Sequence, residues 1–445
     1  MSVLSAHKAL SFIFDFLQEH PATNIYLVGG AVRNLLLHRV RPFDFDFVVQ
    51  GMEPTLLETW LCERGELNLV GQHFGVYKFM PRGFSLKDLP FIDIALPRTE
   101  AVGQGSLGGY KDFDIQSDPN LPIEDDLARR DFTINAIAFD VRTQRLIDPF
   151  NGGGDLRQKL LRAVGMPQER FTEDLSRLLR GIRIASELEF HIEEATSTAI
   201  KKLLPKINSQ RNVGDKLEYV VPREVVGMEL AKTLSRNPGR GALELSFHGA
   251  LAEFFPEIQD QLGQNRSYLD PLKTAAAGEL TVVLAILLRA LDKAGVQKAL
   301  SYAGLDTLER GSPERIEVEH VTFLIELLQK NLGPKDIQNL RASEFEHAFI
   351  NGRGLLFLRC ADLLKRPDLA QAIRTRRKAI ENRWLVDQNE TIAPLLSGQD
   401  ILAQGISPGP EVRTWLCSVR DLQLDGALMR REDALEWLKQ QLQRL

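Results

Sequence analysis

Asp44 and Asp46 stand two residues apart in "RPFDFDFVV", inside an otherwise apolar run. Side chains at i and i+2 of a strand leave the same face, so the two carboxylates converge. Like charges this close raise one pKa unless a cation lies between them, and a divalent metal is the economical reading. Upstream, "LVGGAVRN" sets Gly29 and Gly30 between a strand-like run and a helix-like one, with Arg33 just beyond. Backbone N–H groups at such a turn, with a fixed guanidinium, suit phosphate oxygens. A plain structural turn explains the glycine pair equally well. With D-x-D beginning fourteen residues after Gly30, the combination has the parts of metal-assisted phosphoryl or nucleotidyl transfer. Asp93 in "FIDIA" is a candidate third carboxylate for that face, with an edge-strand aspartate capping a turn as the alternative.

Three further stretches carry charge at suggestive spacings. In "EDDLARRDFTINAIAFD", Arg129, Arg130 and Asp131 precede an apolar run, and Asn135 would share a helical face with Asp131. Such a group suits a ribose and a triphosphate. On the physics of the run alone, a solvated cap of a helix is the stronger reading. "DPFNGGGDLRQKLLRAVG" reads as a flexible corner and hinge, with Asp155 capping the next helix. In "ERFTEDLSRLLRGIRIASELEF", Leu175, Leu178, Leu179, Ile182 and Ala185 form an apolar helical stripe that sets Asp174 and Arg177 on another face. Asp and Arg three apart ordinarily make an intrahelical ion pair. A sharper reading is that the carboxylate accepts from an exocyclic amino group while the guanidinium donates to a ring nitrogen, which admits cytosine and adenine and rejects uracil and guanine.

The elements that must position these residues divide the chain unevenly. Strand-like runs at Asn24–Val28, Phe45–Val49, "LNLV", "GVYKFM" and "FIDIA", a helix over "PTLLETWLCER" and a hairpin-like "AIAFDVRTQRLIDP" make a mixed unit over residues 1–145. Residues 97–124, rich in Gly, Asp and Ser, read as a long mobile loop. Strand signals nearly vanish after Leu156, and linkers are expected near "PKINSQRNVGD" and "LERGSPER". With 445 residues, two to four structural units are expected. A composition of 44% hydrophobic and 26% charged residues describes a globular chain without a membrane-spanning run or a signal peptide, so the expected compartment is the cytoplasm. Cys62, Cys360 and Cys417 have no metal-type spacing, as suits a reducing interior. A net charge of −5 argues against wholesale polyanion binding, so any nucleic-acid contact must be local.

Taken together, "GGAVRN…DFD", "RRDFTINA", "GGGDL…LR" and "EDLSRLLR" resemble, in order and spacing, the first four motifs of the class II tRNA nucleotidyltransferase and bacterial poly(A) polymerase family, over residues 24–190. The resemblance implies an α+β fold: a nucleotidyltransferase head, polymerase-beta-like, with a small mostly antiparallel sheet (1–145), a neck carrying the base-reading helix (146–205), and a helical body and tail that bind tRNA (206–445), in an elongated arrangement. It implies catalytic Mg²⁺ on Asp44 and Asp46, ribose and triphosphate at Arg129, Arg130 and Asp131, and base reading by Glu173, Asp174 and Arg177. Gly29, Gly30, Arg33, Asn135 and Arg180 join the nucleotide-binding set. The expected activity is template-independent addition of CCA, or of its terminal A, to the tRNA 3′ end from CTP and ATP. The alternatives are an A-adding or CC-adding member of a split pair, or a poly(A) polymerase. No DNA or membrane partner is expected, and the oligomeric state is left open.

The departures from that pattern are informative. Asn34 stands where the family usually has Asp, which keeps hydrogen bonding and loses a charge. Val225 occupies an arginine position of the fifth motif, whose nearest counterpart is "EVVGMEL", so no residue is carried over from it. Gln72 and His73 stand where the polymerases have a basic signature, and no His-Asp neighbours mark an appended phosphohydrolase. Arg98 and Arg129 are 31 positions apart, so the loop that CC-adding members shorten is long here, favouring an enzyme able to add A. Residues 358–385 hold eight Lys/Arg against three acids, a candidate phosphate-contact patch from which Arg374, Arg376, Arg377 and Lys378 are the expected RNA-binding residues; a solvated helix face is the alternative.

Overall fold

Ile25, Leu27, Phe47 and Val49 alternate with Tyr26, Val28 and Val48 along two strands buried on both faces, which is why their sequences read as continuous apolar runs. The computed structural model describes residues 7–39, 44–69, 76–102, 107–109, 113–309, 312–350, 352–384 and 394–443. In it these two strands are β1 (Asn24–Val28) and β2 (Asp46–Gln50). The strands β3 (Gly65–Leu69), β4 (Val76–Pro81), β5 (Ile92–Ala95), β6 (Arg98–Val102), β7 (Phe113–Ser117), β8 (Ala138–Asp140) and β9 (Arg145–Ile147) follow. Seven of them form one sheet in the order β3-β4-β5-β2-β1-β8-β9, antiparallel throughout except where β2 runs parallel to β5. The expected small, mostly antiparallel sheet is therefore present.

Helices close both faces of the sheet. In chain order they are α1 (Ser11–Glu19), α2 (Gly30–Leu36), α3 (Pro54–Cys62) and α4 (Ile123–Ala128), with α5 (Gly152–Gln158), α6 (Pro167–Glu173), α7 (Ser176–Leu188), α8 (Glu194–Leu203) and α9 (Arg223–Arg236) beyond the sheet. Phe12 and Phe16 of α1 meet Leu57 and Trp60 of α3 over Ile25, Phe47, Val49 and Ile94. Phe16 and Trp60 cross edge to face at 4.9 Å. On the opposite face, Tyr26, Val28 and Val48 pack against Ile123, Leu127, Ala136, Ala138 and Val164. Asp46 lies on this second face, two residues before Val48, at the end of β2 where the helices leave the strand tips open.

Two stretches fold more regularly than their composition suggests. The segment expected to be a long mobile loop contains a two-stranded ribbon, with β6 and β7 antiparallel and Arg98 opposite Ser117. Its period-2 signal, Phe113 and Ile115 between polar residues, is short and was masked by the glycines around it. The glycine-rich corner is likewise not a hinge, because Gly152, Gly153 and Gly154 form the first turn of α5. Asp148 caps that turn, accepting from the Gly152 and Gly153 N–H groups at 2.7 and 2.8 Å. Asp155, expected to be the cap, is buried inside the helix, where it accepts from the Thr133 hydroxyl at 2.7 Å and pairs with Arg162 at 3.2 Å. The reason for glycine is proximity: a Cβ on Gly152 would lie 2.2 Å from the Thr133 carbonyl oxygen.

The chain forms two compact units, Met1–Pro256 with Ala303–Thr307, and Glu257–Tyr302 with Leu308–Leu445. The expected linker at "PKINSQRNVGD" is a short 3₁₀ turn, Leu204–Asn208, and a hairpin, Gln210–Val213 with Lys216–Tyr219. The second unit is helical. Its helix Leu280–Leu287 is apolar all round and correspondingly buried, while a separate cluster gathers Leu396, Ile401, Val419, Leu428 and Leu438. Among the described residues, no helix is long and apolar enough to cross a membrane, and the three cysteines are unpaired.

Gly152→Ala should lower stability by about 1–3 kcal/mol through overpacking against Thr133. A lower urea midpoint at unchanged m-value is the expected result, and an unchanged midpoint would refute the close approach.

Candidate active site

One cleft of about 840 Å³ in the first unit collects most of the residues singled out from the sequence. Gly29, Gly30, Arg33, Asp44, Asp46, Arg129, Arg130, Asp131, Asn135, Asp174, Arg177 and Arg180 all line it. Nine basic and five acidic side chains face this space, an excess of four positive charges on a chain whose net charge is −5. Such a concentration suits a polyanion.

The strand end and the glycine turn form one wall. Asp46 lies opposite Val28 on β1 and opposite Asp93 on β5. Burial, together with the neighbouring Asp93 and Asp44 carboxylates, pushes the Asp46 carboxyl up to about 6, against the pull of Arg130. Gly29 has φ +69°, and a Cβ there would come within 3.1 Å of Arg130 Nη1 and 3.4 Å of Asp46 Oδ2. Glycine at this position therefore keeps the cleft wall open to the carboxylate. The first N–H groups of α2 have no acceptor within the helix, and Gly30 and Ala31 border the cleft. Arg33 is partly buried, which lowers its pKa to about 10 and leaves it charged at neutral pH. Its Nη1 donates to Asn135 Oδ1 at 2.8 Å, and its Nε and Nη2 to Asn34 Oδ1 at 3.2 and 3.1 Å. Asn34 thus keeps the acceptor role expected of it.

Asp93 stands beside the aspartate pair without lining the cleft. Lys78, its cross-strand neighbour, takes its Oδ1 at 3.1 Å. β5 lies inside the sheet, so Asp93 is not an edge-strand turn cap. Among the described residues no group of three or more His, Cys, Asp or Glu is arranged to hold a metal. The donor set that lines the cleft is the two carboxylates of Asp44 and Asp46, hard oxygen donors that fit a divalent cation whose remaining positions are filled by other oxygen ligands.

The second wall is built on Asp126, which the sequence reading passed over. Its side chain is 0% exposed and divides its oxygens: Oδ1 accepts from Arg129 Nη2 at 2.8 Å and Oδ2 from Arg130 Nη2 at 3.0 Å. Burial raises its carboxyl, but Arg130 and Arg129 outweigh that and hold it below the usual range. The signal was present as acid-to-arginine spacings of three and four. Arg130 Nε, buried, has no hydrogen-bond partner among the described residues. The run is therefore not a solvated cap. Nor do Asp131 and Asn135 share a helical turn, since α4 stops at Ala128 and a 3₁₀ turn begins at Thr133. Their contact forms nonetheless: Asp131 Oδ1 accepts from Asn135 Nδ2 at 3.1 Å and from the Phe132 N–H at 2.8 Å, and Oδ2 pairs with Arg180 at 2.7 Å.

The expected apolar stripe of α7 is buried, with Asp174 and Arg177 both at the cleft. The helix itself begins only at Ser176, because Asp174 is extended (φ −144°, ψ 104°), its carboxylate accepting from the Ser176 N–H at 2.9 Å. Burial pushes the Asp174 carboxyl up despite that bond and Arg177. Arg177 sits 3.8 Å from Asp174 and makes its closer pair, 2.9 Å, with Glu173. Arg170 donates to the Ala128 carbonyl at 2.7 Å, tying α6 to the end of α4.

Arg98, Arg183, Glu187, Lys232 and Arg236 also line the cleft and were not found from sequence. Lys232 and Arg236 lie on α9, beyond "EVVGMEL", where no local charge pattern marks them as facing a cleft. The RNA-binding candidates lie in the second unit, on the helix Pro367–Trp384. Arg374 pairs with Asp362 at 2.8 Å, and Arg376 donates to the Ile337 and Leu340 carbonyls. Arg377 reaches toward the Phe349 carbonyl at 3.5 Å, and Lys378 is exposed. Gln72 and His73 lie outside the described residues.

Comparison with known proteins follows the same outline. Residues 25–162 match the family described as "Poly A polymerase head domain". The Multifunctional CCA protein of Stenotrophomonas maltophilia is 37% identical over 243 residues, 54% of this chain and 53% of that protein. The chain thus spans about half the length of that relative. The Multifunctional CCA protein of Methylobacillus flagellatus is 34% identical over 337 residues, 73% of each chain. Among solved structures, the Bacillus stearothermophilus CCA-adding enzyme in complex with CTP superposes with a TM-score of 0.64 at 22% identity, covering 97% of this chain and 96% of that one. At that identity the likeness concerns the fold.

Removing Asp126 strands two guanidinium groups, and Asp126→Asn should cost about 3 kcal/mol at neutral pH. Because the folded-state pKa of Asp126 is lowered, its contribution is complete above the unfolded value of about 4 and fades as pH falls through the folded value. Urea midpoints should therefore differ most between wild type and variant near neutrality and converge in acid. A gap independent of pH would overturn this assignment.

Proposed function

Because this chain belongs to the class II tRNA nucleotidyltransferase (CCA-adding enzyme) family, we propose that it builds the tRNA 3′ end without a template, adding CCA from CTP and ATP. The observation that carries this reading is the convergence, in one cleft with four surplus positive charges, of an aspartate pair, an arginine cradle and an Asp/Arg pair. The names of the relatives support full CCA addition over the A-only alternative.

In the proposed reaction the 3′-hydroxyl oxygen of the RNA attacks the α-phosphorus of the nucleotide, and pyrophosphate leaves. Asp44 and Asp46 would hold Mg²⁺ in a two-metal arrangement, one ion supplying orientation of the triphosphate and the other activation of the attacking hydroxyl. Arg33, Arg129 and Arg130 bind phosphate oxygens, with Asp126 fixing the last two. Asp131 and Asn135 face the ribose. Asp174 accepts from the exocyclic amino group of C or A, while Arg177, oriented by Glu173, donates to the ring nitrogen. The division into head (1–145), neck (146–205), and body and tail (206–445) is the working assignment of these roles. In the helical unit, Arg374 and Lys378, one turn apart on the helix Pro367–Trp384, are the exposed members of the proposed tRNA patch.

The test supplies tRNAs ending before C74, after C74 and after C75 with CTP, ATP or both, in the presence of Mg²⁺. Stepwise completion of CCA is expected. Addition of A only to the CC-ended tRNA would assign the A-adding alternative, long A tails would assign a polymerase, and no incorporation would reject the reading. Asp44→Ala should abolish turnover with tRNA binding retained, measured by filter retention. Asp174→Ala should admit UTP and GTP, and unchanged selectivity would exclude it as the base reader.

A further inference from the structure

The cleft has a third wall, between α7 and α9, to which the proposed function gives no role. Glu229, Lys232 and Arg236 follow one face of α9 at spacings of three and four, opposite Arg183 and Glu187 of α7. The outer two are matched: Glu229 accepts from Arg183 Nε at 2.6 Å, and Arg236 Nη1 reaches Glu187 at 2.7 Å. Glu187 also takes Arg183 Nη1 at 3.3 Å, and Arg236, Arg183 and Arg33 hold its carboxyl below the usual range against the effect of burial. Lys232, between the two pairs, is partly buried and lines the cleft, yet has no carboxylate or other hydrogen-bond partner among the described residues. A partly desolvated ammonium in a positively charged cleft is costly in the free protein, and an anion removes the cost.

We propose that Lys232 is a substrate-binding residue that contacts a phosphate group, an assignment that rests on the proposed function. An ammonium is a compact point charge with three donors and suits a phosphate approached from any side. The phosphate belongs either to the nucleoside triphosphate or to the backbone of the RNA 3′ end, and the two sources are separable by binding.

The experiment uses the full chain as wild type, Lys232→Gln, Lys232→Arg and, as a surface control, Lys202→Gln. It measures the Kd for CTP with Mg²⁺ by calorimetry, the Kd for a CC-ended tRNA by filter retention across a salt series, and the thermal midpoint of each protein. Lys232→Gln should weaken one ligand about tenfold, the loss of one charge-assisted hydrogen bond. Its thermal midpoint should stay that of wild type, and Lys232→Arg should recover most of the affinity. A loss confined to CTP assigns the triphosphate. A loss confined to tRNA, with the salt slope reduced by about 0.7, assigns the RNA backbone. Both Kd values within about twofold of wild type would overturn the proposal. So would an affinity loss that tracks a lower thermal midpoint and is not recovered by arginine. If wild type binds neither CTP nor tRNA, the parent reading fails and this one with it; if wild type and Lys232→Gln bind both equally, only this one fails.

Discussion

Asp126 is closed to solvent, and its two oxygens are divided between Arg129 and Arg130. Much of the cleft depends on that arrangement. Two adjacent guanidinium groups repel each other and would otherwise swing apart into water, but a shared buried carboxylate fixes both at the cleft wall. The same device recurs around the site: Asp131 holds Arg180, Glu173 holds Arg177 and Glu229 holds Arg183. Each pairing takes up part of a cation's charge and in return fixes where the remainder points. The guanidinium groups that line the cleft are therefore preorganised, which is the condition under which fixed charges bind an anion without first having to reorganise.

The aspartate wall follows the opposite logic. Asp44, Asp46 and Asp93 concentrate negative charge at the tip of β2, and the protein offsets it only partly, through Lys78 on Asp93 and the nearby Arg130. Burial first, and then the Asp93 and Asp44 carboxylates, push the Asp46 carboxyl up to about 6. Strand geometry makes this unavoidable, because β1 and β2 bury both faces and leave only the strand end open to the cleft. A site that suffers carboxylate repulsion on one wall and cation repulsion on the other is matched by a ligand carrying both signs, a metal-bound polyphosphate.

Much of the site was legible because its parts lie close together in sequence. D-x-D, G-G-x-x-R and R-R-D are short local runs, so their side chains meet even though Asp44 precedes β2 and R-R-D lies between α4 and the 3₁₀ turn at Thr133. The contact between Asp131 and Asn135 was foreseen correctly for the wrong reason, since the intervening turn is 3₁₀ and the helix had already ended at Ala128. What stayed hidden depends on tertiary approach. The glycines of α5 read as flexibility until the Thr133 carbonyl is seen against Gly152. The β6–β7 ribbon was lost among turn-forming residues. Lys232 and Arg236 reach the cleft only because α9 packs against α7, a partnership that no local pattern announces.

Asp174 and Arg177, the proposed base readers, are held by the same kind of local pairing. Asp174 is fixed by the Ser176 N–H and hydroxyl that donate to it, and Arg177 by Glu173 and the Arg170 carbonyl at 3.1 Å, so both belong to one short stretch whose geometry is set by its own neighbours. A guanidinium held at two points has a defined plane, and the donor–acceptor order it presents does not change between ligands. Cytosine and adenine share the amino and ring-nitrogen edge that such a pair matches, although one is a pyrimidine and the other a purine. Reading the edge and not the ring size is thus a direct consequence of rigidity at Asp174 and Arg177, and under the proposed function one fixed pair serves both nucleotides without a template.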